Sequence, residues 1–152
     1  MSTITYSPAY TLIPTYECFN RCSYCKFRID PGQSAWMTLE TAATLLQGLQ
    51  KQGVCEILIL SGEVHPRSPR RNAWFERIYQ LCELALNMDF LPHTNAGPLS
   101  LAEMERLKTV NVSMGLMLEQ LTLELLKTVH KHAPSKEPQL RLQQLEWAGE
   151  LQ

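Results

Sequence analysis

Between positions 51 and 60 the chain reads KQGVCEILIL: a helix end, a glycine, and then an almost unbroken apolar run of strand length. Such a run suits a strand covered on both faces of a parallel sheet. The same alternation recurs along the chain and restricts it to β/α units. YTLIPTY, residues 10–16, reads as a first strand. Thr38 is placed as an N-cap with Glu40 in the first turn, and Leu39, Ala42, Leu46 and Leu49 follow at helical spacing up to Gly53. Residues 54–60 form strand two, and residues 72–86 form helix two with Phe75, Ile78, Leu81, Cys82 and Ala85 on one face.

Residues 89–94 form strand three, and Ser100 to Glu103 has the Ser-x-x-Glu form of a capping box. Residues 110–118 are expected as strand four and 120–131 as helix four. After HAPSKEP, Pro138 opens a last helix over 139–151. Trp36, Trp74 and Trp147 are read as packing residues. The fold class is therefore α/β, about four units with parallel strands, as a barrel or an open doubly wound sheet. EWAGELQ repeats the helix and glycine that preceded strand two, without the strand. Residues 1–152 are thus expected to be one domain, the N-terminal half of a barrel cut before its fifth strand.

At 45% hydrophobic and 19% charged the chain is of ordinary globular composition, and its formal charge of -1 provides no field for nucleic acid or an anionic membrane. Its N-terminus lacks a basic segment followed by an apolar one, so the expected location is the cytoplasm. There clustered thiols serve metal or redox chemistry. Three of the five cysteines, Cys18, Cys22 and Cys25, fall within eight residues, in the loop after strand one. Loops at that end of parallel strands build the sites of α/β folds. Spacings of four and three also fit a stripe of small apolar residues on a helix. A zinc site is a further possibility, with His65 as a fourth ligand, because Cys55 and Cys82 read as core. The short basic cluster Arg67, Arg70 and Arg71 reads as a solvated loop.

Cys-x-x-x-Cys-x-aromatic-Cys, with Tyr24 as the aromatic, resembles the signature of the radical S-adenosylmethionine (SAM) enzymes. The resemblance implies a radical-SAM TIM-type partial barrel. Its cysteines would ligate three irons of a 4Fe-4S cluster, leaving the fourth iron to S-adenosyl-L-methionine. Tyr24 would lie near the adenine. Ser61-Gly62-Glu63, after strand two, resembles the family's Gly-Gly-Glu motif that receives the cofactor's ammonium. Glu119 matches an acidic residue used on the ribose hydroxyls, and Arg141 an arginine that pairs with the cofactor's carboxylate.

The segments YSPAYTLIPTYECFNRCSYCKF, ILILSGEVHP, LPHTNAGPLS, NVSMGLMLE and HKHAPSKEPQLRLQQLEWAGEL further resemble the 7,8-didemethyl-8-hydroxy-5-deazariboflavin synthase family, in the subunit that closes the deazaflavin ring. This implies a lyase that takes hydrogen from a 4-hydroxybenzyl-substituted ribityl-uracil intermediate, which cyclises with loss of ammonia. A sister radical SAM subunit would supply that small-molecule intermediate, and an electron donor would reduce the cluster. His93 and Asn95, at the end of strand three, are candidates to face the substrate. Another radical SAM enzyme of the same barrel type, or a non-catalytic iron-sulfur or zinc module, are the alternative functions.

Overall fold

The structure, a computed structural model, describes residues 3–151. Strands β1 (Ala9–Leu12), β2 (Glu56–Leu60), β3 (Leu91–Asn95) and β4 (Ser113–Met114) alternate with helices α1 (Leu39–Gln50), α2 (Arg71–Asn87), α3 (Leu101–Lys108) and α4 (Pro138–Glu150). All strand pairs are parallel and the sheet order is β1-β2-β3-β4. A sequential order has no reversal point, so its right-handed crossovers fall on one side, as in a barrel wall. That settles the choice between barrel and doubly wound sheet.

Register sorts the two faces. Leu12, Ile59, Thr94 and Met114 form one cross-strand row. On this face Leu12, Ile57 and Ile59 are buried in the same apolar cluster as Ala42 and Leu46 of α1, Trp74, Ile78 and Leu81 of α2, and Leu107 of α3. Cys82 of α2 lies 3.3 Å from the Thr94 hydroxyl, which fixes the side the helices occupy. The adjacent row, Thr11, Leu58, His93 and Ser113, points the other way. Strand β2 is therefore fully buried on one face only: Leu58 is half-buried and Leu60 exposed. Its inner face opens into a cavity instead of under a second helix layer.

The expected caps form. The Thr38 hydroxyl accepts from the Thr41 amide, and Ser100 and Glu103 make a complete capping box. Leu39 is exposed at its helix end, outside the apolar face assigned to it.

Three expected elements differ. Strand one stops pairing at Leu12, because Pro14 has no N–H to give a ladder. Strand four is only two residues long. Gly115 still donates to the Thr94 carbonyl at 2.8 Å, beyond which the chain leaves the sheet. Residues 120–131 are not an α-helix; they hold only a 3-10 turn at Glu124–Lys127. Leu121, Leu123 and Leu125 are exposed, and an apolar stripe without a surface to pack on does not sustain a helix.

Cys82 is buried as expected, and Cys55 is half-buried, with its thiol donating to the Pro8 carbonyl. The basic cluster is not simply solvated. Arg71 is buried, donates to both Glu103 oxygens and lies over the Trp74 ring; Arg70 pairs with buried Glu17 and covers Trp36.

Candidate active site

At the C-terminal ends of the strands, backbone hydrogen bonds tie the cysteine loop into a closed shape. Cys18 N donates to Ile29 O at 3.1 Å and Ile29 N to Tyr16 O at 2.9 Å, closing the base of the loop. Cys25 N donates to Cys22 O at 3.2 Å, and the Arg28 Nε to Asn20 O at 2.7 Å. The segment after β4 straps the outside: Arg21 N donates to His132 O at 2.7 Å and Ser23 N to Val129 O at 2.9 Å. The three cysteines sit on this non-helical loop, which removes the helix-stripe reading.

Strand β2 delivers its end against the root of that loop. Gly62 N donates to Thr15 O at 2.9 Å, and Phe19 N to Glu63 O at 3.0 Å. A Cβ on Gly62 would stand 2.2 Å from Glu17 O, so only glycine permits this approach. The indole N–H of Trp74 donates to Ser61 Oγ at 3.0 Å and Gly62 O at 3.1 Å, holding the turn from behind.

Thr15, Cys18, Cys25, Ser61, Gly62, Glu63 and Lys136 share one cavity of about 410 Å³, a size typical of small-molecule sites. A larger cavity of about 550 Å³ lies on the other side of Glu63, between Phe19, His65, Pro98 and Trp147, and contains none of the cysteines. His65 belongs to that second space, edge-on to Phe19.

Glu63 is buried and four side chains reach its carboxylate. Oε2 accepts from Asn20 Nδ2 at 3.0 Å and from the Ser135 hydroxyl; Oε1 pairs with Arg141 at 3.0 Å and Lys136 at 3.5 Å. Lys136 also reaches Glu119 Oε1 at 2.9 Å, while Tyr24 donates to Glu119 Oε2 at 3.3 Å. The Tyr24 hydroxyl lies 3.0 Å from His130 Nε2. Burial tends to raise the Glu119 pKa, but the Lys136 ammonium, the Arg141 charge and the Tyr24 hydrogen bond together hold the carboxyl below its ordinary range. Burial also pushes the Cys18 and Cys22 thiols up; the Glu63 charge adds to this at Cys18, and the Lys136 charge opposes it at Cys22. Thiols raised in this way release their protons on ligating a metal.

A family model, the radical SAM superfamily, matches residues 12–152. The chain belongs to the radical SAM superfamily. It is 75% identical over 148 residues to the 7,8-didemethyl-8-hydroxy-5-deazariboflavin synthase of Nostoc sp., covering 97% of this chain and 44% of that protein. The synthase of Synechocystis sp. is 64% identical over 151 residues, covering 99% of this chain and 48% of that protein. The chain thus spans less than half the length of these relatives. Among solved structures, the FeFe-hydrogenase maturase of Carboxydothermus hydrogenoformans superposes with a TM-score of 0.78 at 25% identity, over 95% of this chain and 34% of that one. Methylornithine synthase does so at 0.76 and 14% identity, over 95% and 42%.

Within this radical SAM chain the structure gathers Cys18, Cys25, Ser61, Gly62 and Glu63 around one space, with Tyr24 and Glu119 joined beside it. Cys22 lies on the same loop. His93 and Asn95 lie apart, on the inner sheet face; His93 Nδ1 is 2.5 Å from the Ser113 hydroxyl. Arg141, on α4, is only 1% exposed and reaches Glu63 from that helix. Asn20, His130, Ser135 and Lys136 were not singled out from the sequence. Their shared signal is proximity in sequence to assigned residues, which does not tell a bridging side chain from a loop one.

Among the described residues no three His, Cys, Asp or Glu side chains close on a single ion position, and no helix is long and apolar enough to cross a membrane. A 4Fe-4S cluster places its three ligated irons at separate corners, so its sulfurs do not need to converge on one point. The unbridged thiols on one loop fit that donor set.

Proposed function

We propose that this chain carries the cluster and cofactor site of a radical SAM lyase that forms the deazaflavin ring of 7,8-didemethyl-8-hydroxy-5-deazariboflavin. The observation that carries the reading is the single cavity shared by the cysteine loop and the Ser61-Gly62-Glu63 turn, in a chain 64–75% identical to such synthases. When bound, the cluster and S-adenosyl-L-methionine supply a 5′-deoxyadenosyl radical for hydrogen abstraction from the substrate.

Each residue then has a task in this reading. Cys18, Cys22 and Cys25 hold the cluster. Glu63, paired with Arg141 and Lys136, receives the cofactor's ammonium, and Gly62 brings the backbone close to it. Tyr24 and Glu119 flank the adenosine, whose ribose diol suits a carboxylate acceptor. His93 and Asn95 line the inner wall, on the face where the substrate would lie. The remaining sequence of such a synthase, a sister radical SAM subunit supplying the intermediate, and an electron donor complete the reaction.

The test is anaerobic reconstitution of the chain. Iron and sulfide per chain, and the paramagnetic spectrum after reduction, read the cluster, and release of 5′-deoxyadenosine reads cofactor cleavage. Alanine at any one of Cys18, Cys22 or Cys25 is expected to abolish both. Zinc in place of iron, or a full cluster in the cysteine variants, refutes the reading.

A further inference from the structure

Among the described residues only two buried side-chain polar atoms have no hydrogen-bond partner, Arg77 Nε and His130 Nδ1. His130 belongs to the strap that lies against the cysteine loop, and it is 2% exposed. Both of its backbone groups are bonded: N donates to Leu125 O at 2.8 Å, and O accepts from Ala133 N at 2.9 Å. The ring meets Tyr24 edge-on, with 5.5 Å between the ring centres, and Nε2 lies 3.0 Å from the Tyr24 hydroxyl. Buried polar groups are normally partnered, so an orphaned Nδ1 turns attention to what the other nitrogen does.

Counting protons fixes the tautomer. The Tyr24 hydroxyl has one proton, and it points at Glu119 Oε2, 3.3 Å away. That carboxyl is held below its ordinary pKa range, so it is ionised and has no proton to return. Tyr24 therefore accepts from His130: Nε2 carries the imidazole proton, and Nδ1 is a bare lone pair. Burial lowers the His130 pKa, which keeps the ring neutral with a proton on one nitrogen alone. Glu119 has a φ of +68°, in the left-handed region that a residue with a Cβ occupies only where its surroundings hold it there. Its two oxygens are held by Lys136 and by Tyr24.

Resting on the radical SAM reading, we propose that His130 is a positioning residue: its Nε2–H holds the Tyr24 hydroxyl on Glu119, and so sets the wall against which the adenosine lies. It acts through Tyr24 and not on the cofactor. The relay ties together three pieces of chain, the strap, the cysteine loop and the segment that leaves β4. Backbone bonds from Arg21 N to His132 O and from Ser23 N to Val129 O join only the first two. What the task needs is a donor at the reach of Nε2. A glutamine amide supplies one, and a methionine of similar size does not.

The test is a double-mutant cycle in S-adenosylmethionine affinity, by equilibrium binding to cluster-reconstituted chains matched in iron and sulfide. H130M is expected to weaken binding roughly three- to tenfold, the size of one neutral hydrogen bond, and H130Q to stay near wild type. In Y24F, which keeps the ring and removes the hydroxyl, H130M should cost nothing further. A role in packing alone would give H130M the same loss in both backgrounds and place H130Q beside it. That result, or H130M at wild-type affinity, overturns the proposal and leaves the radical SAM reading standing. Nitrogen-15 NMR of the unmodified chain tests the same bond without any variant having to load a cluster: the ring should be the neutral Nε2–H tautomer, and an Nδ1–H tautomer or an imidazolium at neutral pH overturns the proposal. Failure of the loaded wild type to bind S-adenosylmethionine at all removes both the proposal and the reading.

Discussion

Replacing Gly62 by alanine tests the contact on which the site's assembly depends. The new Cβ would lie 2.2 Å from Glu17 O, 2.8 Å from Glu17 C and 3.2 Å from Tyr16 C, all of them backbone atoms that cannot rotate away. Relief needs about 1 Å of separation between the end of β2 and the root of the cysteine loop. That movement strains two hydrogen bonds joining the same segments, Gly62 N to Thr15 O and Phe19 N to Glu63 O. Overpacking costs about 1–3 kcal/mol and each of the two weakened hydrogen bonds about 0.5 kcal/mol, so a loss of about 2–4 kcal/mol is expected.

A domain stable by roughly 5–15 kcal/mol survives such a loss, so the variant remains measurable. Urea unfolding followed by tryptophan fluorescence reads it, with Trp74 bonded directly to Gly62 O. Iron per chain after anaerobic reconstitution should fall in parallel. Gly48, in α1, is the control, because a Cβ added there would meet nothing within 4 Å: G48A should be neutral or stabilising by roughly 0.5–1 kcal/mol. A G62A protein within about 0.5 kcal/mol of wild type and fully loaded with iron would refute the close-approach argument.

Gly97 combines a φ of +77° with a Cβ position 2.4 Å from Glu63 Cδ; G97A should weaken S-adenosylmethionine binding by more than its urea midpoint predicts, because it displaces the clamped carboxylate. S100A removes the hydroxyl that accepts from the Glu103 amide at 3.2 Å and should lower stability by about 1 kcal/mol, read as a drop of roughly 2–4 °C in thermal midpoint. Burial alone would raise the Glu103 pKa, yet the Arg71 guanidinium and the Ser100 amide hold it below its ordinary value. A depressed carboxylate stabilises the fold above its unfolded pKa and loses that contribution as pH falls through the folded one. The urea midpoint should therefore decline on acidification through the carboxylate range, and decline less steeply in E103Q.

Much of the fold is written in local pattern. The apolar periods of α1 and α2, the hydroxyl caps at Thr38 and Ser100, and the run that becomes β2 each depend on neighbours a few residues away. Residues 120–131 show where that reasoning fails: their leucines repeat at helical spacing, but no partner surface meets them and only one short turn forms. Helix α4 shows the converse. Leu142 and Leu145 are exposed while Arg141 and Gln144 are buried, because that side of the helix meets Glu63 and the backbone at Leu99.

The sequence by itself determined the parallel β/α order, the loop bearing Cys18, Cys22 and Cys25, and the radical SAM signature around Tyr24, because these are matters of spacing along one chain. Only the tertiary structure decided that Gly62 is forced by the Glu17 carbonyl and that Asn20, Ser135, Lys136 and Arg141 converge on Glu63. Those contacts join residues 43 to 78 positions apart. The energy of a buried charge is set by which groups surround it in space, and spacing along the chain does not encode that.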